Sequence, residues 1–184
     1  MHSAGGVRTG RRQHHLLSRE GMMSSEHLDE FEDEFSLVSL TLAEPSVGTL
    51  GGFSLEVPRI SIGGGYQALD HLVLVSIKSR EFIKFGTLGS FGGALYDPRT
   101  GGVFESDREM EEVRIVNTSL QLFCTCVRGL GERYPFAEDE SGESWESAAQ
   151  DWENFLLKVD PEAYGVRDNY WYELKWSIIS GDFS

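Results

Sequence analysis

The sequence predicts an α+β domain: an antiparallel β-meander with helices packed against it and a mainly helical C-terminal half. Apolar and polar residues alternate at 37–42 and 53–57, as half-buried strands require, and further short apolar segments follow at close spacing up to residue 104. No helix-length segment separates these strands, whereas a parallel sheet needs long crossover connections. From residue 117 apolar residues recur at three- and four-residue spacing, which is typical of amphipathic helices. The strands therefore precede the helices along the chain.

We expect residues 1–24 to form a disordered basic extension and residues 25–184 to form a single domain. Up to residue 21 the chain carries four arginines against one glutamate, and its apolar residues follow no period. This segment lacks the apolar middle region of a secretory signal. Cys124 and Cys126 are too close in sequence to bond to each other easily, so there is no disulfide framework. Both features favour a cytoplasmic location.

The predicted strands follow a short helix that begins at Ser25, and glycines separate most of them. They lie at residues 37–42, 53–57, 72–77, 82–85, 94–96 and 103–104. Pro58 cannot donate to a ladder, so the second strand ends there or lies at a sheet edge. The glycines interpreted as breaks are at 63–65, 86, 89 and 92–93.

One hairpin loop is well specified by its residue types. Asp97 can accept a hydrogen bond from the backbone two residues on, and Pro98 presets φ for the first corner. Gly101 is suited to the left-handed position that closes the loop. We therefore interpret these three residues as structural and not catalytic.

Helical periodicity predicts four segments after the strands. The first begins at residues 117–119, which offer a capping side chain, and ends at Gly129 and Gly131. The buried face of the second is predicted to carry Trp145, Ala148, Ala149, Trp152, Phe155, Leu156 and Val159. Asp160 and Pro161 indicate the cap and first turn of a short third helix. The last helix is predicted to start at Asp168, to bury Trp171, Leu174 and Ile178, and to close at Gly181.

No catalytic or metal-binding constellation emerges from the motifs, so we predict no enzyme activity, cofactor or metal. The glycine-rich residues 86–93 lack the lysine of a phosphate loop, and Ser90 lacks the G-x-S-x-G pattern. Cys124 and Cys126 lie about 200° apart around a helix and cannot ligate one metal ion. One alternative is an enzyme with a small-molecule pocket lined by Trp145, Trp152, Trp171 and Trp176.

Acidic residues dominate the surface chemistry. The chain has 16 Lys and Arg against 30 Asp and Glu, for a formal charge of −14, which argues against binding nucleic acid or anionic lipid. The acids gather at residues 26–34, 105–112 and 138–146, which indicates either plain solubility or a surface for a basic protein. The predicted partner contacts are Glu105, Asp107, Glu109, Glu111, Glu112, Glu138, Asp139, Glu140 and Glu143.

Four segments resemble a known family. Residues 92–103 read GGALYDPRTGGV and resemble its signature hairpin, and residues 113–123 read VRIVNTSLQLF and resemble the helix start that follows. Residues 160–163 and 170–181 are similar to its closing segment. In this order they resemble the fourth group of SUKH superfamily immunity proteins, over residues 57 to 183.

The resemblance implies a bacterial immunity protein that binds and neutralises a cognate toxin of a polymorphic toxin system. It implies an α+β fold with an antiparallel sheet and packed helices, and it brings no catalytic residues. Asn117 would cap a helix, and Gly101 would form a left-handed corner. Toxins of the wider superfamily include nucleases and nucleic-acid deaminases, which fits a basic partner. A regulatory interaction module of the same fold, without a toxin partner, is the alternative.

Overall fold

Strands precede helices in the computed structural model, which describes residues 35–42, 52–60, 65–90, 92–136, 142–166 and 168–182. The strands are β1 (Ser36–Thr41), β2 (Ser54–Arg59), β3 (Tyr66–Ile77), β4 (Arg80–Leu88), β5 (Gly92–Tyr96), β6 (Val103–Ser106) and β7 (Val113–Asn117). The helices in these ranges are α1 (Leu120–Gly131), α2 (Gly142–Val159), α3 (Pro161–Tyr164) and α4 (Tyr170–Ile179). The extension predicted at residues 1–24 and the helix predicted from Ser25 lie outside the described residues.

The main sheet is an antiparallel meander, as predicted. Its five strands lie side by side in chain order from β3 to β7, and every neighbouring pair is antiparallel. β1 and β2 form a separate antiparallel pair. Pro58 lies inside β2 opposite Leu37, where the only strand partner among the described residues is β1. The α+β fold class is therefore confirmed.

Two expectations about the strands were wrong. β7 was not predicted, although its ladder with β6 joins Glu105 to Arg114. Gly86 lies within β4 and not at a break; a Cβ there would come within 2.6 Å of the Tyr66 ring, so the glycine allows close packing against this ring. Gly92 and Gly93 likewise belong to β5. Gly89 does lie in a turn, with φ of +54°.

The helices pack on one face of the sheet through a continuous set of aromatic rings. Phe85 of β4 contacts Phe123 of α1 at 5.5 Å between ring centroids, and Phe123 lies 6.0 Å from Trp171 of α4. Trp171 in turn meets Trp152 of α2 at 5.6 Å. All four side chains are buried, so Trp152 and Trp171 are core residues. Trp176, by contrast, is 49% exposed, so the four tryptophans do not share one environment.

The helix ends differ from the prediction in three places. Ser119, and not Asn117, caps α1, because its side chain accepts a hydrogen bond from Leu122 N. Gly129 lies inside α1, where the Phe155 ring occupies the space that a Cβ would need. The last helix was predicted to start at Asp168, but α4 follows Asn169, whose side chain caps it by accepting a 2.7 Å bond from Trp171 N. α1 and α4 therefore begin at Leu120 and Tyr170.

Asn117 is instead part of a buried polar network that joins the sheet to the helices. Its Nδ2 donates to Asp160 Oδ2 at 3.0 Å, and its Oδ1 accepts from Trp171 Nε1 at 2.8 Å. Thr118 donates to the same carboxylate from its backbone N at 2.8 Å and from Oγ1 at 3.1 Å. Asp160 also caps α3 by accepting from Ala163 N. One carboxylate therefore fixes the end of β7 and the start of α3.

None of the helices in the described ranges combines the length and the apolarity of a bilayer-crossing segment.

We predict that Asp160→Ala lowers the free energy of unfolding by about 3 kcal/mol, because the change leaves buried donors of Asn117 and Thr118 without an acceptor. Urea denaturation followed by circular dichroism measures this loss. Asp151→Ala is the control, because Asp151 is 66% exposed and pairs only with Arg133 at the surface. The control should lose less than about 1 kcal/mol. Equal losses in the two variants would contradict the assigned role of Asp160.

Candidate protein-binding site

Five of the predicted partner contacts lie at the end of β6 and on its connection to β7. Residues 105–112, which we call the acidic hairpin, carry these carboxylates at Glu105, Asp107, Glu109, Glu111 and Glu112. All except Glu105 are exposed. Glu138, Asp139 and Glu140 lie outside the described residues, as does the side chain of Glu143, whose backbone belongs to α2. The description of the site therefore concerns the acidic hairpin.

The loop of the acidic hairpin is held by its own residues. Asp107 Oδ1 accepts from the backbone N of Glu111 at 2.7 Å and of Glu112 at 3.2 Å. Met110 takes a positive φ of +59° and donates from its N to Asp107 O. Ser106 Oγ accepts from Gly93 N at 3.2 Å and donates to Met110 Sδ at 2.9 Å. Asp107 therefore shapes the loop, while the glutamates stand on its outside.

A cleft opens where the acidic hairpin meets the start of β5. Its volume is about 240 Å³. The lining residues are Gly92, Glu105, Ser106, Asp107, Arg108, Glu112 and Arg114. Sequence reasoning missed Gly92, Ser106, Arg108 and Arg114, because Gly92 was interpreted as a strand break and β7 was not recognised. We call this space the Glu105 cleft.

Gly92 is what allows the Glu105 carboxylate to reach this position. A Cβ on residue 92 would lie 2.9 Å from Glu105 Oε1 and 2.9 Å from Leu88 O. Any other residue there would push the carboxylate away or move the backbone of β4. The residue type at position 92 therefore controls the shape of the Glu105 cleft.

Glu105 is electrostatically distinct from the other acids of the hairpin. Burial raises the pKa of its carboxyl above the usual value, Arg114 opposes this shift, and Glu173 adds to it. Arg114 lies directly across the ladder, yet its Nη1 donates to Asp168 O at 3.5 Å. No hydrogen-bond donor in the described ranges reaches the Glu105 carboxylate. Glu105 therefore carries an acceptor that the described residues do not use.

The hairpin loop at residues 97–101 has a different character. Asp97 is buried and accepts from Arg99 N at 3.0 Å, from Thr100 Oγ1 at 2.9 Å and from the Arg80 guanidinium. Burial alone would raise the pKa of Asp97, but these hydrogen bonds outweigh it and hold the pKa below its usual value. Gly101 has φ of +79° and closes the loop. Both oxygens of this carboxylate are engaged inside the fold, so Asp97 itself is not available to a partner.

The cysteines do not form a reactive site. Burial raises the pKa of Cys124 to about 11 and that of Cys126 to about 12, so both thiols are protonated at neutral pH. Within the described ranges, no three His, Cys, Asp or Glu side chains converge closely enough to hold a metal ion.

Comparison with known proteins found one family. The family model described as SUKH-4 immunity protein matches residues 67–175. The match begins in β3 and ends in α4, so it spans the meander, the acidic hairpin and the helical layer. No curated protein and no solved structure matches the chain.

We predict that Glu105→Gln raises the free energy of unfolding at about pH 7. The pKa of Glu105 is raised in the folded chain, so ionisation of this carboxyl at neutral pH costs stability that glutamine does not lose. The difference should vanish below about pH 4, where the carboxyl is protonated in both states. Urea denaturation at the two pH values tests this, with the exposed Glu81→Gln as control. A destabilised Glu105→Gln variant at neutral pH would contradict the assignment.

Proposed function

The chain belongs to the SUKH-4 immunity protein family, and from this we propose that it binds a cognate bacterial toxin and neutralises it by occlusion. The family match over residues 67–175 carries the proposal, because it covers both the sheet and the helices that support the acidic hairpin. An inhibitor of this kind needs a stable, complementary surface and no chemistry of its own. The fully engaged Asp97 and the protonated cysteines are consistent with such a role.

The charge of the chain supports a basic toxin that acts on nucleic acid, such as a nuclease or a deaminase. An enzyme of that class presents cations to phosphate groups, and an acidic protein can occupy the same surface. The chain has a formal charge of −14, and Glu109, Glu111 and Glu112 contribute exposed negative charges to it on one loop. Complementary charge raises association rates by roughly 10- to 1,000-fold. Because cells need this protection where the toxin acts on their nucleic acid, we place the protein in the cytoplasm.

The first test is protection of living cells. Co-expression of this chain should restore growth to bacteria that express the toxin encoded beside its gene. The free toxin domain should lose its activity on purified nucleic acid when the chain is added at equal concentration. A folded, soluble chain that protects against no neighbouring toxin would refute the proposed function and would favour a regulatory module of the same fold.

The second test concerns the acidic hairpin. Reversal of two exposed charges, Glu109→Lys with Glu111→Lys, should slow association with the toxin by roughly tenfold or more at low salt. The difference should shrink in about 1 M salt, where charges are screened within about 3 Å. Stopped-flow mixing measures both rates.

The matched control for this test is Glu56→Lys with Glu81→Lys. Both residues are exposed on strands, and the double variant changes the net charge by the same amount. Glu81 lies at the start of β4, whereas the acidic hairpin lies at the edge of the sheet where β4 ends, with β5 between them. Equal slowing by both double variants would show that net charge steers the toxin. An unchanged rate for the hairpin variant would place the docking surface elsewhere.

A further inference from the structure

The size of the Glu105 cleft limits what it can receive. Pockets for drug-sized molecules have volumes of roughly 300–1,000 Å³ and are lined mostly by apolar side chains. The Glu105 cleft has about 240 Å³, and its lining is polar or charged. A space of this size and polarity suits one long polar side chain better than a metabolite.

Among the carboxylates that line the cleft, Glu105 is the half-buried one without a hydrogen-bond donor in the described ranges, whereas Glu112 is exposed to solvent. Asp107, the neighbouring acid, already accepts two backbone hydrogen bonds within the loop. Arg114 is directed to the carbonyl of Asp168, and no ion pair joins it to Glu105. A half-buried carboxylate without a donor has lost part of its hydration and has gained no protein partner in return. This state is relieved when a donor enters the cleft.

We propose that the Glu105 cleft receives one lysine or arginine side chain of the bound toxin, which forms a charge-assisted hydrogen bond with the Glu105 carboxylate. The inference rests on the proposed function and identifies the contact that holds the complex. Glu109 and Glu111, which do not line the cleft, act at long range and raise the association rate. A pair formed inside a partly desolvated cleft acts mainly on the dissociation rate.

The groups around Glu105 give the proposal a second readout. Arg114 faces it from β7, Tyr170 and Glu173 face it from α4, and Gly92 lies beside it in β5. The other charged residues that line the cleft are Asp107, Arg108 and Glu112, all from the loop of the acidic hairpin. A cation in the cleft favours the ionised carboxyl and lowers its raised pKa. Binding is therefore coupled to release of a proton wherever Glu105 is partly protonated in the free protein. Affinity should rise with pH until the carboxyl is fully ionised.

The experiment compares Glu105→Gln with the unsubstituted chain. Isothermal titration calorimetry uses a catalytically inactive form of the toxin domain encoded beside the gene, between about pH 5 and pH 8. We expect Glu105→Gln to raise the dissociation constant by roughly 10- to 100-fold at neutral pH. The dissociation rate should account for most of this change, and the proton release seen with the unsubstituted chain should be lost. Urea denaturation of the variant verifies that it is folded.

Glu173→Gln is the control, because it removes the same charge close to the cleft from an exposed side chain that does not line it. This variant should change the dissociation constant less than about threefold. Unchanged affinity and proton release in Glu105→Gln would overturn the inference while leaving toxin binding intact. Equal losses in both glutamine variants would also overturn it, because long-range charge would then explain the effect. Failure of the unsubstituted chain to bind the toxin would refute the proposed function itself.

Discussion

The carboxylate of Asp160 holds the helical layer in place on the sheet. A charge that is only 3% exposed is expensive to desolvate, and its cost is offset here by donors from Asn117, Thr118 and Ala163. Those donors come from the end of β7 and from the first turn of α3. Asn117 also accepts a hydrogen bond from Trp171, at the centre of the aromatic core, and so links this ring to the network. Apolar packing supplies much of the attraction between the two layers, whereas this network defines their relative position.

The same arrangement protects the outer edge of the sheet. Asn169 donates from its Nδ2 to the carbonyl groups of Ile115, Val116 and Ala163, at distances from 3.0 to 3.3 Å. Two of these carbonyls belong to β7, the terminal strand of the meander. Capped in this way, that part of the edge is not available for pairing with a foreign strand. The acidic hairpin therefore extends from a strand whose position is fixed on both sides.

Local rules were sufficient for much of the fold. The alternation in β1 and β2, the turn residues after Asp97 and the apolar stripe of α2 all arise from neighbours in sequence, and each was predicted correctly. β7 escaped recognition because its residues directly precede α1 and were interpreted together with the start of that helix. Gly86 and Gly89 show the limit of such rules. One lies under the ring of Tyr66 and the other takes a positive φ, and nothing in the adjoining residues distinguishes them.

The candidate site was harder to predict than the fold, because its geometry depends on residues that are far apart in the sequence. Asparagine is a good helix cap, so Asn117 was assigned that role, but its actual partner is 43 positions away at Asp160. The run of acids was visible in the sequence, whereas the difference between Glu105 and its neighbours was not. That difference arises because Gly92, on the adjacent strand, leaves room for a carboxylate. Only the register of β5 with β6 brings these two residues together.

The division of labour within the loop after β6 has an evolutionary consequence. Asp107, Ser106 and Met110 make the contacts that shape this loop, and they do so without the side chains of Glu109, Glu111 or Glu112. Substitutions of these three glutamates therefore leave the contacts that shape the loop intact. A bacterial lineage that encounters a new toxin can therefore change this binding surface by single substitutions while the protein still folds.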